Sequence, residues 1–435
     1  MTMLTSSKHS LTALIVAVAI VAVGGVAQAQ RAAGPFADIL GGDSNADATN
    51  SLSVRGSVFG SGYDTLSRTE EEPVDDRYLR SGGAVGASGS LEHALRGTSL
   101  QWQSNLSTSL LLIGSQSDVN AVTFNGDSSL SRPVNRRVTV SVSGRVNYSP
   151  YYDFAPTLDG RLTNVGSNAG GFGVATGAER NILTSASGGM NYRISRRDTF
   201  DAGASVTRYV FLDEVDTGTN TWSVSGRFNH TLSKSLSLHA GFGRTEASYE
   251  GLESATSNTI DAGVDYNDTL TFSRRTALSF GTSTSAVRWE GDTHYRVNAN
   301  ASLTNGFGRS GSASLNYQRA TEFDPAFRDP VLTDMVSAGV GNQLGRRASW
   351  SAQAGYVRGN IGFESDGGAY KSVNAGGGVN IAITRHIGLF TDYFIYRYEV
   401  PAGSTVFTSL SRFSRQSVSV GLTLWAPLIS KRSSK

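Results

Sequence analysis

The residues with the strongest claim to chemistry are few. Glu290, Asp292 and His294 stand at alternate positions, a spacing in which a carboxylate could orient a histidine base. Acid-plus-histidine clusters of this kind are common by chance, and the trio alone does not make an enzyme. Gly82-Gly83-Ala84-Val85-Gly86 has the look of a phosphate loop. No helix pattern follows it, so the anion-binding end of a helix is missing. Asp43-Ser44-Asn45-Ala46-Asp47 begins like a calcium loop and lacks the later glycine and glutamate. His230 shares a face with Trp222, Val224 and Phe228, which fits an interfacial histidine better than a metal ligand. The chain has no cysteine, so disulfides, thiol catalysis and cysteine metal sites are excluded. No catalytic, metal or cofactor site is expected. The remaining polar candidates are Arg145, Arg227, Asp261, Asp265, His294, Arg296, Asn298, Asn300 and Asp392. Each occupies the polar side of a run in which polar and apolar residues alternate.

That alternation defines the elements. In Thr221–Phe242, Trp222, Val224, Gly226, Phe228, His230 and Leu232 fall on one side, with Ser223, Ser225, Arg227 and Asn229 on the other. After Ser233-Lys234-Ser235 the pattern resumes, with Leu236, Leu238, Ala240 and Phe242 opposite Ser237, His239, Gly241 and Gly243. A period of two is a half-buried strand, so this is a hairpin. Each arm is about 11 residues, enough for a tilted strand to cross a bilayer. Eighteen such segments follow one another from Ser51, near 51–61, 83–93, 98–113, 120–131, 136–149, 181–194, 198–212, 220–232, 235–249, 256–270, 273–289, 292–304, 308–321, 332–344, 347–359, 369–383, 386–400 and 413–426. The first, fourth and fourteenth alternate less cleanly, which leaves sixteen as the competing count.

The connections alternate between short and long. Arg96-Gly97, Ser195–Asp198, Ser233–Ser235, Gly345-Arg346 and Arg385-His386 are short. Gly62–Gly82, Ser149–Arg180, Asp213–Thr219, Glu322–Val331 and Pro401–Arg412 are longer. Charge sorts the same way. Arg136-Arg137, Arg196-Arg197, Lys234, Arg274-Arg275, Arg346-Arg347 and Arg385 sit in short turns. Glu70-Glu71-Glu72, Asp75-Asp76, Asp213-Glu214, Glu250, Glu253, Glu290, Asp292, Glu322, Asp324, Glu364 and Asp366 sit in or beside the long connections. Turn polarity alone does not explain a sign that follows length. Bacterial barrels have short periplasmic turns and long external loops, which places both termini in the periplasm. Ser149–Arg180 is the longest connection between strong strands, and it suits an inward or a surface loop equally.

Composition agrees. The 435 residues carry a formal net charge of +2, which gives no signal for nucleic acid. A hydrophobic share of 39% and a mean hydropathy of −0.20 are too polar for membrane helices, yet compatible with a barrel that alternates lipid and lumen faces. Residues 1–29 read as a cleaved signal peptide, with Lys8, the apolar run Leu11–Val26 and the small-x-small site Ala27-Gln28-Ala29. Residues 30–50 read as a periplasmic tail or short plug, 51–428 as the barrel and 429–435 as a basic tail. Trp102, Tyr148, Tyr192, Tyr209, Trp222, Trp289, Tyr295, Tyr317, Trp350, Tyr356, Tyr393, Tyr396 and Trp425 cluster near strand ends, where interfacial girdles would lie. A soluble secreted β-protein is the rival fold, but its turn signals would recur at shorter spacing. The expected fold is an all-β, transmembrane, antiparallel up-and-down β-barrel.

These features, with the closing strand Ser417–Leu428 (SVSVGLTLWAPL), its Gly421 and its late Trp425, resemble the Gram-negative outer-membrane barrels of the beta-barrel porin type. The resemblance is one of pattern. Those proteins end on an aromatic residue, whereas Ala426–Lys435 follow Trp425 here. It implies an outer-membrane location, with lipid and lipopolysaccharide around the apolar band. It also implies recognition of the last strand by the barrel-assembly machinery, and small hydrophilic solutes as cargo. A homo-oligomer stays open. A barrel of 16–18 strands is wide enough for an aqueous channel, and small polar linings would not fill it. Charges of both signs argue against strong ion preference unless a loop places one sign at a constriction. A non-conducting envelope barrel or a polysaccharide-export partner is the competing role, and an enzyme at the rim is the weakest.

Overall fold

Strand pairing follows the alternation almost everywhere. The structure is a computed structural model and describes residues 48–70, 81–113, 120–150, 152–153, 175–177, 180–212, 218–249, 254–270, 273–289, 291–308, 310–323, 330–362, 369–401 and 410–432. The expected signal peptide, most of the tail or plug, Glu290 and most of the long loop 149–180 lie outside them. The strands are β1 (Ala48–Glu70), β2 (Gly82–Arg96), β3 (Gln101–Ile113), β4 (Asn120–Pro133), β5 (Val138–Ser149), β6 (Tyr152–Asp153) and β7 (Ala175–Gly177). They continue as β8 (Asn181–Arg193), β9 (Asp198–Phe211), β10 (Gly218–Thr231), β11 (Leu236–Tyr249), β12 (Ala255–Leu270), β13 (Ser273–Trp289) and β14 (Asp292–Phe307). The last are β15 (Gly311–Glu322), β16 (Val331–Leu344), β17 (Ala348–Ile361), β18 (Ala369–Ala382), β19 (Ile387–Glu399) and β20 (Leu410–Arg432).

Eighteen of these form one antiparallel sheet in chain order, and β1 pairs with β20 to close it. The short β6 and β7 pair only with each other. Each of the eighteen expected segments is a strand, including the three weaker ones, so the count of sixteen is set aside. Closure leaves no sheet edge along the wall, which is what a sheet in hydrocarbon requires.

The inside of the barrel can be told from the outside by contact alone. Phe211 on β9 clusters with Val357, Tyr370, Tyr396 and Phe413 on β17–β20. From β9 to β18 the ring runs through β10, β11, β12, β13, β14, β15, β16 and β17 one way, and through β8, β5, β4, β3, β2, β1, β20 and β19 the other. The two strands are therefore diametrically opposed, and their side chains can meet only through the interior. Residues of the other parity, such as Val206, Phe242, Ile260, Val297, Val336 and Val420, are exposed and apolar, so they face outward. An exposed apolar belt around a closed barrel is a lipid-facing surface.

The hairpin turns at one end share a hydrogen-bonding plan. Val134-Asn135-Arg136-Arg137, Ile194-Ser195-Arg196-Arg197, Leu232-Ser233-Lys234-Ser235 and Ile383-Thr384-Arg385-His386 each place a short polar side chain second. The first residue's N–H donates to the carbonyl that opens the next strand, at 2.9 Å for Val134 and Leu232 and 3.0 Å for Ile194 and Ile383. The polar side chain accepts the N–H groups two and three residues on, as Ser233 does from Ser235 (3.3 Å) and Leu236 (3.1 Å). Asn135, Ser195 and Thr384 do the same. This side-chain mimic of a backbone turn explains why Ser, Thr and Asn recur there.

Several boundaries differ from expectation. Gly62–Glu70 and Leu410–Arg412, expected in long connections, are strand, because β1 and β20 pair with each other there. Ala48–Asn50 belong to β1 and Ile429–Arg432 to β20, because the two segments pair with each other beyond the neighbouring strands. Residues 429–432 are thus wall and not tail. Glu290 was expected in a long connection, yet only residues 290–291 separate β13 from β14. Gly291, with φ of 86°, supplies the left-handed backbone so short a link needs. Asp292 is consequently a strand residue.

Candidate functional site

The candidate site is the interior wall. Among the nine nominated residues, alternation places Arg145 on β5, Arg227 on β10, Asp261 and Asp265 on β12, His294, Arg296, Asn298 and Asn300 on β14, and Asp392 on β19, all on the inward face.

Three of them meet. Arg227 reaches across β11 to β12, with Nη1 at 3.3 Å from Asp261 Oδ2 and Nη2 bonded to Asp265. Its Nε donates to Asn229 Oδ1 at 3.0 Å. His239 on the intervening strand joins the same carboxylates. Its Nδ1 lies 2.8 Å from Asp265 Oδ2 and its Nε2 2.9 Å from Asp261 Oδ1, with only 1% of the side chain exposed. The network continues round the wall, since Asn229 donates to Asp201 at 2.9 Å and Asn191 donates to Asp201 at 2.6 Å. It therefore ties β8 through β12 together on their inner face. His239, Asp201, Asn191 and Asn229 were not nominated. The available signal was their shared parity with Arg227, His239 being placed on that face by the alternation itself.

Glycines give these side chains room to lie flat. A Cβ on Gly241 would sit 3.2 Å from Arg227 Cα, and one on Gly263 would sit 3.1 Å from His239 Cε1 and Nε2. Asn300 and Asp265 converge over Gly281, each with Oδ1 2.9 Å from where its Cβ would be. Asp392 likewise covers Gly378. These charged groups thus lie against neighbouring strands of the wall. Arg145 stands apart on the other side of β8 and β9, opposite Asp127 in register. Arg296 donates to its neighbour's carbonyl, Tyr295 O, at 2.9 Å. Asp292 and His294 share the inward face two residues apart. Outside the lumen, His230 pairs with Asp198 at 2.6 Å. Among the described residues no group of three or more acidic or imidazole side chains is arranged to hold a metal ion.

Toward the end with the long connections the interior changes character. Val331 and Met335 of β16, Val357 and Ile361 of β17, Tyr370 of β18, Tyr396 and Tyr398 of β19 and Phe413 of β20 form one buried cluster with Phe211 of β9. Tyr209 of β9 packs against it. A second group, Phe59, Tyr63, Ala84, Leu111, Ile113, Ala121 and Phe390, covers the adjoining wall. Arg415 is fully buried here, its guanidinium carbon 4.4 Å from the centre of the Tyr63 ring. The expected lining, dominated by Ser, Thr, Gly and Asn, does not extend to the long-connection end, where large apolar side chains cluster on the inner face. The expected aromatic girdle is corrected with it. Trp222, Tyr295, Tyr356 and Tyr393 face outward, but Tyr209, Trp289 and Tyr396 have the inward parity and are buried or packed inside. Trp425 alternates with the exposed Leu424, so it too lies on the inner face, where it stacks on His386.

Chemically the wall offers a polar surface in its middle and clusters of buried apolar side chains at one end. No protein-family model matches the chain, and no curated protein matches its sequence. Several solved structures align over most of its length. OpdQ of Pseudomonas aeruginosa matches at 11% identity with a TM-score of 0.43, over 90% of this chain and 100% of that one. OpdO of the same organism matches at 11% and 0.43, over 88% and 99%. OccAB3 of Acinetobacter baumannii matches at 10% and 0.41, over 87% and 99%. Likeness at this level is too weak to assign substrate or activity.

Proposed function

We propose that this protein is an outer-membrane channel through which small hydrophilic solutes diffuse passively, with the short-turn end and both termini in the periplasm. The observation that carries the reading is a closed barrel of eighteen strands with an apolar exterior and a polar network laid flat on its inner wall. A hydrated lumen of this kind replaces bulk water for a solute, and the apolar belt holds the barrel in lipid. Arg145, Arg227, Asp261, Asp265, His294, Arg296, Asn298, Asn300 and Asp392 line that path. The interior cluster joining β9 to β16–β20 favours a second reading, a barrel that does not conduct until this closure opens. Hydrophobic constrictions of this type gate by expelling water.

Single-channel recording separates the two. Refolded chain (residues 30–435) is added to a planar bilayer after its folded state is checked by heat-modifiable electrophoretic mobility. Steady steps support the open channel. A folded barrel that gives no steps under any voltage rejects it in favour of the closed reading.

A further inference from the structure

The outer surface carries a feature that the channel reading does not use. At the long-connection end of β15–β20, one hydrogen-bonded row of residues is charged on six consecutive strands. Arg319 pairs with Asp334, Asp334 with Arg358, Arg358 with Lys371, Lys371 with Glu399 and Glu399 with Arg412. The row has the parity of the exposed Val336, Tyr356 and Val373, so it faces outward. Those three residues, with Tyr317, form the next row down, where the apolar belt begins. The corresponding outward row on β8–β13 runs Ala186, Val206, Trp222, Glu246, Thr256 and Arg288, with one base and one acid. The strip is therefore far more charged than the row compared on β8–β13.

The acids in the strip are already engaged. Glu399 holds Arg397 at 2.5 Å and Arg412 at 3.2 Å, and Asp334 holds Arg319 at 3.8 Å while accepting the Tyr317 hydroxyl at 2.7 Å. Arg358 and Lys371 lie directly opposite one another; Asp334 faces Arg358 and Glu399 faces Lys371 on the outer sides, but neither base makes a close ion pair among the described residues. Like charges directly opposed across a strand pair are unfavourable. An anion seated between them would turn that repulsion into binding. Its chemistry is fixed from both sides. Guanidinium and ammonium groups favour phosphate oxygens, and the aromatic and aliphatic row immediately beneath favours acyl chains.

From this we infer that Arg358 and Lys371, flanked by Arg319, Arg397 and Arg412, form a docking site for a phosphate-bearing lipid headgroup of the outer leaflet. The inference rests on the membrane-barrel reading above. It assigns the outer wall of β15–β20 as the face that holds an ordered lipid.

The test uses the refolded chain in mixed micelles, with diphosphorylated lipid A as the probe. The same lipid stripped of its phosphates and inorganic phosphate alone serve as comparisons. Native mass spectrometry counts retained lipid, and titration against the thermal unfolding midpoint gives affinity. Retention of the phosphorylated lipid is expected, with little retention of the stripped form. In the double variant Arg358→Gln/Lys371→Gln, affinity should fall by about thirtyfold, the scale of two basic side chains at an anionic lipid surface. Arg288→Gln, on β13 outside the strip, should bind like the native protein. Equal binding of the stripped lipid, equal binding of free phosphate, or a double variant that binds normally overturns the site. Failure of the native chain to give a heat-modifiable barrel overturns the membrane reading instead, and the two failures are told apart on the same gel.

Discussion

At the scale of single residues, the informative one is His239. It is almost wholly buried between Asp261 and Asp265, and among the described residues Arg227 is the other base the two carboxylates share. Removing one member of such a network leaves its partners desolvated and unpaired, which costs about 1–3 kcal/mol. His239→Ala should therefore lower stability in denaturant titrations by about that amount. Asp265→Asn in the same background should recover part of the loss, because the vacancy then faces one carboxylate and not two. A double variant as unstable as the sum of the singles would show that His239 acts by packing alone. Sequence showed Arg227, Asp261 and Asp265 on the polar face, because parity is legible residue by residue. It did not show that they touch. That depends on Gly241 and Gly263, whose missing side chains let Arg227 and His239 lie sideways across a neighbouring strand. A glycine in a strand gives no hint of which side chain will use its space.

At the scale of elements, strands and turns were readable for a common reason: both are written in local chemistry. Alternation fixes which face a residue takes, and an interior bounded by closure fixes which face is wet. The recurring turn is equally local, with Asn135, Ser195, Ser233 and Thr384 each accepting two backbone N–H groups. Ser233→Ala removes both acceptors at once while leaving the 2.9 Å Leu232–Leu236 backbone bond in place. The turn is solvent-exposed, so water replaces much of what is lost. A cost of about 0.5–1.5 kcal/mol is expected, with slower refolding of the β10–β11 hairpin into vesicles. Ser233→Asn, which keeps the acceptor, should behave as native. Equal losses in both variants would place the effect in strand register and not in the turn. Strand ends were less legible. The seam strands β1 and β20 outrun their other neighbours by pairing with one another, a long-range choice that neither segment's composition announces.

At the scale of the whole molecule, the interior apolar cluster that joins β9 to β16–β20 is the feature least visible in sequence. Tyr370, Tyr396 and Phe413 look like ordinary strand residues. Only the ring of eighteen strands sets β9 opposite β18 and brings Phe211 into their cluster. The near side of the closure is built from five adjacent strands and would survive the loss of any one side chain. The far side depends on β9, where Phe211 is 3% exposed and Tyr209 packs beside it. Phe211 is therefore the residue on which the bridge turns. Phe211→Ser withdraws a large apolar ring from the cluster and puts a hydroxyl in its place, which favours entry of water there. Wall pairing of β9 with β8 and β10 does not depend on that side chain, so the barrel should still fold and show heat-modifiable mobility. In a planar bilayer the variant should open more often, or in larger steps, than the native chain. Phe242→Ser, on the lipid face at 54% exposure, should leave the steps unchanged once inserted. If native and Phe211→Ser channels conduct alike, the cluster does not close the path, and solute must pass beside it along the polar wall of β8–β14. If only the variant conducts, the resting state of the protein is shut, and whatever opens it in the cell must separate β9 from β16–β20.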